Sequence, residues 1–199
     1  MGLEKINIGV IFLCVSPSGH NNVYIVFPPK YNVMRSDFPT LLDNAKSLAD
    51  IFEVVKAAVI ESLGKSHAGL MLGLADLGNH PQGFLGAFFP VGSNVIVMNK
   101  IPLLRIKETK PELYKPYAFH VLLHEYIHSL GYIDEGVVKK KVYDITSSVF
   151  GKEHLATQLA ADSAHFIPNL AYPDVLWQPK ELKIDLVEGF DRGSVGYIA

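Results

Sequence analysis

The sequence has a single cysteine, Cys14, so neither an intramolecular disulfide framework nor a cysteine-cluster metal site can be built from it. No apolar run reaches the roughly 18 residues that a membrane-crossing helix needs. Neither sign of charge dominates. The 18 Lys and Arg stand against 20 Asp and Glu, a net of −2, and leave no chain-wide basic field to hold nucleic acid. Internal repeats, low-complexity tracts and flexible linkers are also missing. What the chain does have is apolar content: 49% hydrophobic against 19% charged, over 199 residues. That is enough to bury a core and suits one domain, 1–199. With cysteine out, a metal site must draw on His, Asp or Glu. Three of the 8 histidines, His120, His124 and His128, recur at four-residue intervals.

Ile6–Val15 is apolar apart from Asn7 and Gly9 and superficially imitates a signal peptide. Glu4 beside Lys5, the Ile/Val content and the lack of an A-x-A site favour a buried strand. The expectation is an intracellular, cytoplasmic, soluble protein. Lys5–Ser16 and Val23–Phe27 read as a hairpin across SPSGHNN. Ser36 or Asp37 can cap a helix that runs, with Pro39 in its first turn, to about Leu63 and Gly64. Ala68–Leu74 reads as a strand, and Phe84–Phe89 and Asn94–Asn99 flank a PVGS turn. Lys100–Glu112, with Pro102 and Pro111, reads as a polar connection. Pro116 opens a helix that runs to Leu130, with Gly131 at its end. Asp134 caps another helix to about Phe150, Gly151 breaks it, and Lys152–Asp162 makes a short third one. From Phe166 the chain reads as an extended arm with one short strand at Leu182–Val187. Strands precede helices, so the expected class is α+β: a mixed or antiparallel sheet backed by helices.

The segment that carries chemistry is HEYIHSLGYID, His124–Asp134. On a helix, residues four apart share a face, so His124 and His128 can present two imidazoles to one ion. Zinc accepts neutral imidazole at about 2.0–2.1 Å and, with three protein ligands, keeps one position open for water. Glu125 leaves the helix about 100° round from His124. From there its carboxylate can reach a metal-bound water without binding the ion, and can act as general base. The chemistry described is water attack on a polarised carbonyl, that is, peptide or amide hydrolysis.

The run H-E-x-x-H-x-x-G-x-x-D resembles the active-site signature of the zincin metallopeptidases, in the metzincin-type pattern where Asp replaces a third His. The resemblance implies a zincin-like fold with an active-site helix, zinc held by His124, His128 and Asp134, Glu125 as catalytic base, and a peptide or protein substrate. It further implies that Gly131 permits a sharp reversal, and that an upstream edge strand, Asn94–Asn99, binds substrate backbone by strand addition. The sequence departs from the pattern in two respects. Metzincins carry a Met-turn after the third ligand, whereas the methionines here are Met1, Met34, Met71 and Met98. Cys14, inside an apolar run, does not read as a cysteine switch.

Asp134 is also a good helix N-cap, and Glu135, Glu153 and His154 are alternative third ligands. A helix from Asp134 to Phe150 spans roughly 20 Å, which tends to carry His154 away. His120 shares the face of His124 and reads as supporting or solvated rather than ligating. Tyr126 and Tyr132 can supply a phenol to an oxyanion but read better as packing residues. Lys139, Lys140 and Lys141 read as a solvated helix face, with no nucleic acid or membrane implied. Trp177 and the proline-rich arm can pack on the sheet or cover the cleft. Two rival functions stand beside the peptidase. One is a zincin-like protein whose metal serves binding or structure. The other is a metal-dependent RNA hydrolase, because H-x-x-x-H-x-x-G-Y-x-D is similar to the H-x-x-x-H-x-x-G-Y-x-H run of bacterial RNA-maturation factors. Those carry Gly where this chain has Glu125.

Overall fold

A computed structural model describes residues 37–78, 85–163 and 179–191. They belong to one compact unit that starts at Asp37. The expected N-terminal hairpin lies outside the described residues, as does Trp177.

The first long helix expected from the sequence is two helices, α1 (Phe38–Asn44) and α2 (Leu48–Leu63). Asp37 caps α1 by accepting from the Thr40 amide at 3.2 Å and the Thr40 hydroxyl at 2.6 Å. The break comes from Ser47, which starts a second helix of its own. Its Oγ accepts from the Asp50 amide at 3.1 Å, and Asp50 reaches back to the Ser47 amide at 3.0 Å. This reciprocal box satisfies two amides that a continuous helix would have paired with carbonyls. Gly64 closes α2 with φ of 62°, a left-handed conformation open to glycine.

Four short strands make a mixed sheet in the order β2–β3–β1–β4. β1 is Met71–Ala75, β2 Ala87–Phe88, β3 Val95–Asn99 and β4 Ile184–Leu186. β1 and β3 run parallel, from Met71 opposite Val95 to Ala75 opposite Asn99. β2 pairs antiparallel with β3, and β4 antiparallel with β1. The expected edge strand, Asn94–Asn99, is therefore an interior one, flanked on both sides. Among the described residues β2 and β4 are the edges, and β2 is the one that α4 touches.

Lys100–Thr109, expected as a polar connection, is a helix, α3. Asn99 caps it, accepting from the Ile101 amide at 3.1 Å, and Pro102 sits in the first turn, where a missing amide is harmless. Pro102, Leu103 and Ile106 give it a buried face. After a short 3-10 turn at Pro111–Leu113 comes α4 (Tyr114–Ser129), then α5 (Glu135–Phe150) and α6 (Leu155–Ala161). The expected helices after Pro116 and Asp134 are thus present. α4 packs against α2, α5 and α6 and also touches β2 and β3. Phe119, Leu122, Leu123, Tyr126 and Ile127 are fully buried along it. Among the described residues no helix is long and apolar enough to cross a membrane.

The described part of the C-terminal arm is tied down. Gly73 lets β4 approach β1, because a Cβ there would collide with Ile184 Cγ2. Phe190 stacks on Phe52 with centroids 4.1 Å apart. Asp191 is buried and pairs with Lys56 of α2, and its Oδ2 accepts from the Gly69 amide at 2.7 Å and the Leu70 amide at 3.0 Å. Burial alone would lower the pKa of Lys56, but hydrogen bonds and charge from Asp191 and Glu53 outweigh it and hold the ammonium above its ordinary 10.5. Removing one partner of a buried pair costs about 3 kcal/mol or more.

Asp191→Ala is therefore expected to lower the urea midpoint by the equivalent of about 3 kcal/mol. Asp191→Asn, which keeps an acceptor for both amides, should lose less. The contribution of Lys56 is complete below its unfolded pKa and is lost as pH rises through the higher folded value. The gap between wild type and Asp191→Ala should thus narrow in strongly alkaline solution without closing, because the bonds from the Gly69 and Leu70 amides do not titrate. An unchanged midpoint at neutral pH would refute the anchoring role of Asp191.

Candidate metal centre

α4 ends where its last amides turn back. Leu130 donates to Tyr126 and Ile127, and Gly131 donates to the His128 carbonyl at 2.9 Å. Gly131 has φ of 91°, in the left-handed range, and the chain reverses there. Four residues later, at Glu135, α5 begins and packs beside α4. The last turn of α4 and the first turn of α5 thus come together.

At that junction His124 and His128 point their Nε2 atoms toward each other, 3.1 Å apart. Glu135, the first residue of α5, completes the group. Its Oε1 lies 3.1 Å from His128 Nε2 and its Oε2 3.3 Å from His124 Nε2. The ligand atoms of these three side chains all fall within 4.8 Å of one another, an arrangement that could hold a metal ion. His128 Nδ1 lies 2.8 Å from the Tyr132 carbonyl. A carbonyl only accepts, so Nδ1 carries the proton and Nε2 presents a lone pair. That lone pair faces a carboxylate and a second imidazole, and either a proton shared among them or a metal ion satisfies acceptors at these distances. Two donors about 2.05 Å from one ion at tetrahedral angles lie about 3.3 Å apart, close to the three separations seen. The helix ends help as well, since a C-terminus favours positive charge and an N-terminus a carboxylate.

The structure brings together His124, His128 and Glu135, and does not bring Asp134 to them. Asp134 caps α5, its Oδ1 accepting from the Val137 amide at 2.8 Å. The N-cap geometry that makes Asp favourable there turns its carboxylate toward the helix's own amides, and the next residue faces the histidines. His154 caps α6, accepting from the Ala156 amide at 3.1 Å, and its ring stacks on Phe150 at 4.5 Å. It lines a separate cavity with Asp43 and Tyr114. Glu153 is exposed beside it and outside the group.

Glu125 is 6% exposed and lies in the wall of a cavity of about 570 Å³ that also contains His124, His128 and Glu135. Burial first, and then the Glu135 charge, push its pKa up to about 7, against a backbone hydrogen bond from Phe89. The facing wall is the segment from Leu85 through β2 to Phe89. Burial holds His124 below the ordinary imidazole range. Glu135 opposes that shift, while His128 and Lys139 reinforce it. His120, one turn earlier, also lines the cavity. Burial and then the nearby His124 push its pKa down to about 4, and its Nδ1 is buried without a partner. Tyr126 is fully buried, with its hydroxyl accepting from the His67 amide at 2.8 Å. The Tyr132 hydroxyl accepts from Lys65 at 3.0 Å, and Lys141 lies 4.5 Å from its ring centroid. Neither phenol lines the cavity.

Native mass spectrometry should find one divalent ion per chain. His124→Ala and His128→Ala are expected to lose it, and Glu135→Ala to weaken it at least about tenfold to a hundredfold. Asp134→Ala should keep the ion and lose about 1 kcal/mol of stability with its cap. Loss of the ion from Asp134→Ala, with retention by Glu135→Ala, would show that the geometry misassigns the third ligand. The chain matches no protein-family model, no curated protein and no solved structure.

Proposed function

We propose that the protein is a zinc metallopeptidase of the zincin type, with Glu135 in the ligand position that the sequence resemblance assigns to Asp134. The observation that carries this reading is Glu125. A buried carboxylate, outside the ion-holding group, shares one cavity with it and faces an edge strand. A site that only stored a metal would have no use for that carboxylate. Two imidazoles and one carboxylate match the donor set of catalytic zinc centres. When bound, zinc supplies a Lewis acid that acidifies water and polarises a carbonyl.

This chain's own residues do the rest. His124, His128 and Glu135 hold the ion, and the Tyr132 carbonyl keeps His128 in the ligating tautomer. Glu125 takes one proton from the attacking water as its oxygen bonds to the peptide carbonyl carbon. The same carboxyl then gives that proton to the amide nitrogen as the C–N bond breaks, and an acid and an amine are released. β2, at the sheet edge, offers backbone groups on which an extended peptide can add as a strand. The substrate in this reading is a peptide or an unfolded stretch of protein.

Zinc-loaded wild type should cleave a disordered protein into fragments visible by mass spectrometry. Glu125→Gln should bind zinc with the wild-type stoichiometry and cleave about a hundredfold to ten-thousandfold more slowly. Equal cleavage by the variant would overturn the assignment of Glu125. An intact substrate, with RNA cut instead, would overturn the peptidase.

A further inference from the structure

The geometry points to Lys139 as a carboxylate-binding group that selects substrates with a negative charge next to the bond to be cut. This rests on the peptidase reading and adds a substrate class to it. Lys139 lies one helical turn after Glu135 on α5 and lines the same cavity. At that spacing Glu and Lys ordinarily pair across the helix surface. Here Glu135 is turned away, with one oxygen on each imidazole. Among the described residues no carboxylate lies within ion-pairing distance of Lys139, although its charge is felt at His124. Among the described residues it is the only Lys or Arg in the cavity wall.

Besides the histidines and the two glutamates, the cavity wall carries exposed apolar side chains. Leu85, Val91 and Ile133 are 53%, 85% and 73% exposed around the same cavity. Large apolar side chains left in water around one opening mark a binding surface. A ligand that covers them and ends in an anion would meet Lys139. In a peptide, that anion is either the terminal carboxylate of the residue after the scissile bond or an Asp or Glu side chain near it. Both present the same chemistry to the ammonium.

The test uses zinc-loaded protein and four synthetic peptides. One pair differs only in a free C-terminal acid against its amide, and the other only in an internal Asp against Asn. Dissociation constants are measured calorimetrically on Glu125→Gln, and kcat/KM on the protein with Glu125 intact. At least one acid should be preferred over its neutral partner by about tenfold. Lys139→Met should abolish that preference, Lys139→Arg should retain it, and Lys140→Met should not alter it. The pair that responds tells whether the chain terminus or a side chain supplies the carboxylate. Three results would overturn the inference: no preference in either pair, a preference that survives Lys139→Met, or an equal loss on acid and neutral peptides. Binding without cleavage of any peptide would count against the peptidase alone, because the calorimetric comparison still decides Lys139.

Discussion

Helix α4 is buried on almost all sides, and that burial sets the rotation on which the site depends. Phe119, Leu122, Leu123, Tyr126 and Ile127 are fully enclosed by neighbouring helices and sheet. Turning the helix by one residue would expose several of them, at about 1.5–3 kcal/mol each. With that face committed to the core, the stripe of His120, His124 and Glu125 is left facing the cavity, with His128 at its lower end. The imidazoles are aimed by apolar packing far more than by contacts of their own. Only His128 has a dedicated hydrogen bond, to the Tyr132 carbonyl.

The junction of α4 and α5 then concentrates acceptors. Two imidazole nitrogens and two carboxylate oxygens converge where the end of one helix meets the beginning of the next. Burial works against charge on His124 and against ionisation of Glu125, so that ring favours its neutral form and that carboxyl can carry a proton. A cation at the centre relieves the crowding of lone pairs. In the proposed peptidase reading these features have a use: two imidazoles and a carboxylate for the ion, and a proton carrier in the same cavity but outside the group.

The far edge of the sheet is secured by the chain's C-terminal segment. β4 adds to β1 through the gap left by Gly73, Phe190 stacks on Phe52, and Asp191 joins α2 to the start of β1. Phe52 also meets Tyr126 edge-on, at 5.3 Å. The same aromatic contact therefore links the C-terminal anchor to the helix that carries the histidines. The described part of the arm docks at β1, while the cavity opens beside β2 at the opposite edge.

Local rules made much of this legible. The helices around Pro116 and Asp134, the strand pair around the PVGS turn, and the His124–Glu125–His128 face all follow from interactions within a few residues, where helical spacing and capping decide. Local reading failed where two local preferences competed. A continuous apolar stripe concealed the break that the Ser47–Asp50 box makes, and two prolines disguised α3, because one of them occupies the single turn that tolerates it. The sequence by itself determined that two imidazoles share a helix face, with a carboxylate beside them and a glycine to reverse the chain. Only the tertiary structure decided that Glu135 rather than Asp134 meets those imidazoles, and that β2 rather than β3 borders the cavity. The reason is physical. Asp134 spends its oxygen on the amide of Val137, and the order of strands in a sheet depends on pairings between distant segments, which no spacing along the chain records.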